Sequence, residues 1–267
     1  MRLFRSVLGF SLLVVLASCS VRVEGGTTLA LSAERDGAGP AADTLHTALG
    51  YVVRLDRLYL AIQAVQLVPP SGSAAAAPVW RYARGLFLPS DAFAHTPGSP
   101  TRLGVPSVLA LNAAPGTRWV LGDLAPPPGS YPGARIILAP PDDDAQYLPT
   151  DVDMVDHTLH VDGMAFQGTD SVAISLSIPI HDSVEVSVSA GNGGALPLRS
   201  RSQYQLRVKW DPQVWFDAVD FLHEPTTAWE DSIRAALPRS VSFVLESGPS
   251  AGAAPTAPGL VITSRRH

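Results

Sequence analysis

Cysteine is almost absent from this chain. Cys19 is the only one in 267 residues, which excludes a disulfide framework and any zinc site built from paired cysteines. Lysine is as scarce, Lys209 standing alone. Charged residues make up 16% of the chain and the net charge is −5. An acidic surface does not follow a phosphate backbone, so nucleic acid is not an expected partner. No P-loop, dinucleotide fingerprint or HExxH motif occurs, and no repeat of fixed period is present. Apolar residues at 46% exclude a disordered chain and a polytopic membrane protein.

What is present begins at the N-terminus. Arg2 and Arg5 precede the apolar run from Ser6 to Ala17, which is too short to span a bilayer as a helix. Leu16-Ala17-Ser18-Cys19 comes next. This resembles the bacterial lipobox, in which the cysteine is acylated and becomes the first residue of the mature protein. Residues 1–18 are then an export signal, 19–26 a tether, 27–247 the folded domain and 248–267 a Pro/Ala/Gly-rich flexible tail. Two or more acyl chains anchor stably, since each buried methylene contributes about 0.8 kcal/mol. Ser20 after the cysteine implies, by the same resemblance, an envelope lipoprotein of the outer membrane facing the periplasm.

The domain reads as all-β. Thr27 to Ala33 alternates as a first strand. Tyr51 to Val68 fits either a helical stripe or a strand whose inward face switches phase, from Val53 and Leu55 to Leu58, Leu60 and Ile62, then to Val65 and Leu67. Such switches occur at bulges. Further strands are expected at 79–83, 105–111, 118–121, 131–138, 158–161, 204–210 and 241–245. Residues 171–178 and 183–189 alternate cleanly and are expected to pair as a hairpin. Thr227 and Glu230 have capping-box spacing, with Trp229, Ile233 and Leu237 on one face and Pro238 as a stop, so one short helix is expected near 228–237. Many short strands between Gly/Pro turns imply an antiparallel β-sandwich or an open barrel.

Few motifs carry chemistry. Gly248-Pro249-Ser250-Ala251-Gly252 matches G-x-S-x-G, but its flanks hold Pro255 and Pro258 instead of the strand and helix a nucleophile elbow requires. The acidic run Asp142, Asp143, Asp144, Asp151, Asp153 and Asp156 is either a solvated loop or a Ca²⁺ loop, without the glycine turn and distal glutamate of an EF-hand. Trp210 to Asp217 is either core packing around Trp210, Trp215 and Phe216 or an exposed aromatic shelf for sugars. Nothing here points to a catalyst, and a non-enzymatic protein is expected.

Gly50-Tyr51-Val52-Val53-Arg54-Leu55, then Leu58 to Val68, then Pro128-Gly129-Ser130-Tyr131 leading into a strand, is similar to the order found in methanobactin-associated periplasmic MbnP-like proteins. The similarity covers residues 27–140. It implies a β-sandwich-like domain and a binding role, with copper held by histidines in some members. The tryptophan-rich segment of those copper proteins has no counterpart in the second half of this chain. Carried onto this sequence, the implied metal ligands are drawn from His46, His95, His157 and His160, imidazoles suiting copper and zinc. With only Met154 and Met164 beyond the signal, a thioether-rich Cu(I) site is not expected. The two functions to separate are a membrane-anchored binding module for a metal or metal complex, and a structural or assembly lipoprotein with no small ligand.

Overall fold

A computed structural model describes residues 26–36, 44–69, 99–187 and 195–247. Cys19, the signal, the tail with its G-x-S-x-G match, the expected strand at 79–83 and His95 lie outside the described residues. Within them the chain is a mainly antiparallel β-domain of open sheets around one core, none closed into a barrel.

In the first sheet β1 (Thr28–Arg35) lies between β14 (Gln203–Trp210) and β7 (Arg118–Leu124), with β15 (Val241–Ser247) beyond β14. The β1–β14 pair is parallel, and the other two pairs are antiparallel. Leu29, Leu31 and Ala33 face the core, meeting Leu206, Val208 and Phe243 from their neighbours. The alternate face carries charge. Glu34 is buried, and its carboxylate accepts from Arg118 Nε at 2.8 Å and Arg207 Nη1 at 3.0 Å, with Lys209 Nζ at 3.6 Å. Burial raises the Glu34 pKa, but these bonds and charges outweigh it and hold the carboxyl below its usual value. A depressed carboxylate contributes stability above its unfolded pKa, about 4.3, and loses it as pH falls through the folded value. Replacing it leaves three cations around a neutral group. We expect Glu34→Gln to cost about 2 kcal/mol at pH 7, after discounting for the half-exposed Arg118. Urea titrations at pH 7 and pH 3 check this: the gap between variant and wild type narrows at pH 3.

The second sheet runs β11 (Asp170–Ile178), β10 (Leu159–Gln167), β3 (Val52–Ile62) and β2 (Thr44–His46), with β6 (Ser107–Ala110) pairing the far end of β3. The third runs β12 (Ser183–Ser187), β9 (Gly133–Ile137), β4 (Ala64–Val68) and β5 (Arg102–Leu103). A short ribbon joins β8 (Gly129–Tyr131) to β13 (Leu196–Leu198).

The long run from 51 to 68 is strand, and both phase switches have a structural cause. Register against β10 shifts between the pairs Leu55–Gly163 and Arg57–Asp162, leaving Asp56 as the extra residue of a bulge. The second switch is at Gln63, where the chain leaves the second sheet as β3 and enters the third as β4. The hairpin expected between 171–178 and 183–189 does not form. β11 turns back on β10 through Gly168, at φ +60°, while β12 pairs with β9. Between them Pro179 lacks an N–H for a tight turn, and Ile180 is buried, so the connection crosses between sheets.

Two helices pack at one end. A single turn, α1 (Gln213–Phe216), precedes α2 (Thr226–Ala236). Trp229, Ile233 and Leu237 are buried, the inward stripe the spacing implies. The capping box does not form: the helix starts after Pro225, no side chain caps it, and Leu237–Arg239 continue as a 3-10 turn containing Pro238. Trp210, Trp215 and Phe216 are fully buried, so the 210–217 segment is core and not an exposed shelf. The Trp215 indole N–H donates to Ser240 Oγ at 2.6 Å.

Candidate functional site

The outward face of the second sheet carries the most connected polar cluster among the described residues. Strand alternation puts Arg57 and Tyr59 outward on β3, His160 and Asp162 on β10, and Ser175 and Ser177 on β11. Pairing aligns them in two rungs, Tyr59–His160–Ser177 and Arg57–Asp162–Ser175. In one rung, His160 Nδ1 lies 3.0 Å from Ser177 Oγ, and its ring stacks on Tyr59 with centroids 6.5 Å apart. In the other, Asp162 accepts from Ser175 Oγ at 3.0 Å and from Arg57 Nη1 at 3.2 Å. The rungs are linked by His160 Nε2, 2.9 Å from Asp162 Oδ2.

The acidic loop closes one side of this face. Met154 and Ala145 are buried against Ala61 and Val108, so the loop has its own apolar foot on the sheet. Asp151 then accepts from Arg57 Nε at 2.8 Å and from Tyr59 Oη at 3.2 Å. The Arg57 bond holds the Asp151 carboxyl below its ordinary value. For Asp162 burial acts upward, and the bonds from His160, Ser175 and Arg57 bring it lower. Burial and the Asp151 charge raise the Tyr59 phenol. Asp153 forms a local turn by accepting from Val155 N–H at 3.0 Å. Among the described residues no three His, Cys, Asp or Glu side chains converge as a metal would require.

Ser177, His160 and Asp162 are linked in the order of a nucleophilic triad, yet each link is the ordinary neighbour relation of a β-ladder. Acyl transfer also needs donors placed for the developing oxyanion. Asp162 divides its charge among His160, Arg57 and Ser175. The cluster thus presents hydrogen-bonding groups and a ring stack side by side on one sheet face.

The candidate histidines among the described residues do not assemble. His46 is an exposed residue opposite Val52 at one end of β3, and His160 is opposite Tyr59 on its other flank. Seven residues at about 3.3 Å each separate those positions, roughly 20 Å. His157 lies in the turn before β10, its Nδ1 buried without a hydrogen-bond partner among the described residues. His95 lies outside them. Of the expected ligands among the described residues, only His160 falls in the cluster. Arg57, Tyr59, Asp162, Ser175 and Ser177 were not singled out from sequence, and Asp151 only as a member of the acidic run. Their signal was polar residues two apart on strands, visible only once Leu159 to Gln167 is known to be one strand.

A second polar knot is a staple. Tyr51 Oη donates to Asp220 Oδ1 at 2.5 Å and accepts from Leu222 N–H at 3.2 Å, tying β3 to the loop between the helices.

No family model matches the chain, and neither the curated proteins nor the solved structures contain a match to it.

Proposed function

We propose that this chain is a membrane-anchored extracytoplasmic lipoprotein whose β-domain is a non-enzymatic binding module. In this proposal the outward face around Arg57, Tyr59, His160 and Asp162 receives the ligand. The observation that carries it is the two-rung cluster itself, a preorganised set of donors, acceptors and a ring stack on a sheet face whose opposite side already supplies the core. The anchor rests on Leu16-Ala17-Ser18-Cys19.

The chemistry of the face favours one kind of ligand within the class the resemblance implies. Both nitrogens of His160 are engaged, and no group of three metal ligands converges among the described residues. A bare ion would gain too few ligands there. A metal complex, copper's included, or another small polar molecule brings its own donors and needs only hydrogen bonds and a stacking ring.

The test is native mass spectrometry with elemental analysis of protein purified from its own envelope. We expect a bound small molecule or metal complex in the wild type. Its occupancy should fall at least tenfold in the double variant Tyr59→Ala/His160→Ala, about 1.4 kcal/mol or more. A ligand-free wild type, or full occupancy in the double variant, overturns the proposal. The assembly-lipoprotein alternative would then stand ahead, favoured by the open edge of β11.

A further inference from the structure

β11 ends the second sheet, and its free edge has a definite hydrogen-bonding pattern. Ala61 N–H donates to Thr158 O at 2.7 Å. With Leu58 O accepting from Leu111 N–H at 2.7 Å on the opposite flank of β3, that contact sets the phase of β10: the Thr158 carbonyl and the backbone groups of His160 and Asp162 turn to β3, and those of Leu159, Val161 and Gly163 turn to β11. On β11, Val172, Ile174, Leu176 and Ile178 therefore face β10, and Ile178 O accepts from Thr158 N–H at 3.0 Å. The N–H and C=O groups of Ser171, Ala173, Ser175 and Ser177 point away from the sheet, and no pairing strand lies beyond them among the described residues.

Natural sheets blunt such edges with short strands, charges, prolines or bulges. Most other edges here have such devices, and β15, seven residues long, carries Glu246 near its end. β2, β5 and β6 are short, β7 carries a register break with Arg118 and Asp123, and β12 has Glu185 at its centre. β11 runs for nine residues with no proline, no bulge and no charge after Asp170.

We infer that β11 is a self-association edge, pairing antiparallel with β11 of a second copy about a two-fold axis at Ile174. The strand is self-complementary in that register. The residues facing outward at the edge pair with one another, Ser171 with Ser177 of the copy and Ala173 with its Ser175, so all four make both bonds reciprocally. On the inner face Val172 meets Leu176 and Ile174 meets itself, extending the apolar layer across the junction. Asp170 meets Ile178, so no like charges oppose. The small outward side chains of Ser171, Ala173 and Ser175 present no bulk to an approaching strand. A heterologous strand would use the same backbone groups, but the symmetric side-chain match favours a second copy. Self-association at this edge is independent of whether the outward face binds a ligand.

The experiment is disulfide capture in native membranes with the double variant Ala173→Cys/Ser175→Cys. Opposed residues in such a pair have Cα atoms about 5.5 Å apart, within disulfide reach. An acylated Cys19 leaves no competing thiol. Mild oxidation is expected to give a species of twice the mass that reductant returns to monomer, while Glu185→Cys on the β12 edge gives none. No product, an equal product from Glu185→Cys, or a product of another mass overturns the inference, the last in favour of a different protein strand. A second arm uses Ala173→Pro, which removes an N–H the β10 ladder does not use. Sedimentation of the detergent-purified lipoprotein is expected to give a dimer for wild type and a monomer for the variant, with matching circular dichroism and thermal midpoint. A monomeric wild type, or a dimer that persists in a folded Ala173→Pro variant, overturns it. If that variant unfolds, the disulfide arm decides.

Discussion

Replacing Cys19 with alanine is expected to abolish lipid anchoring of the protein. Wild type is expected to pellet with membranes and to leave them only in detergent. Cys19→Ala should appear in the soluble periplasm or accumulate as a precursor that keeps residues 1–18. The change is close to all-or-none because the anchor is additive. At about 0.8 kcal/mol per buried methylene one acyl chain binds marginally and two hold stably, and the described residues contain no helix long and apolar enough to cross a membrane. Fractionation reads the outcome, and mass spectrometry of the wild-type N-terminus checks its cause. A free, unacylated N-terminus beyond Cys19 would remove the lipoprotein proposal.

Gly163→Ala is expected to cost more stability than alanine at any other described glycine. Gly163 sits on β10 opposite Leu55, next to the Asp56 bulge where β3 crowds its neighbour. A Cβ there lands on the Arg54 carbonyl oxygen and lies 3.1 Å from Leu55 Cα. Both are backbone atoms held by the sheet, so no rotamer change relieves the contact. The strands must part, at the upper end of overpacking costs, about 3 kcal/mol. For a domain of this size that lowers the thermal midpoint by roughly 6–12 °C. Gly168→Ala is the control. Nothing lies within 4 Å of its would-be Cβ, so only its φ of +60° is strained, at about 1 kcal/mol. Urea unfolding compares the two, and a Gly163→Ala variant no weaker than Gly168→Ala would show that the bulge can relax.

The sequence alone determined the features that arise from short-range periodicity and from proximity along the chain. The alternation of Leu29 and Leu31 and the stripe Trp229, Ile233 and Leu237 name elements correctly, because side-chain direction repeats every two residues in a strand and every 3.6 in a helix, while 51–68 fitted both periods and is strand. The export and anchoring expectation at 1–19 is likewise a linear signal. The partner of each strand is not, because hydrogen bonds to a neighbour leave no mark on a strand's own pattern. Residues 171–178 and 183–187 alternate as a hairpin would, yet Pro179 and buried Ile180 carry the chain to another sheet. The capping residues failed for a similar reason: Thr227 and Glu230 have the spacing, but packing of Trp229 and Ile233 starts the helix at Thr226. The candidate face was the least legible. Arg57 lies 94 and 105 residues before Asp151 and Asp162, and only the meeting of β3, β10 and the loop on Met154 brings them within hydrogen-bond distance. The same tertiary pairing held His46 and His160 at opposite ends of β3. Composition and spacing could nominate both histidines, but only the register of the sheet could decide whether they meet.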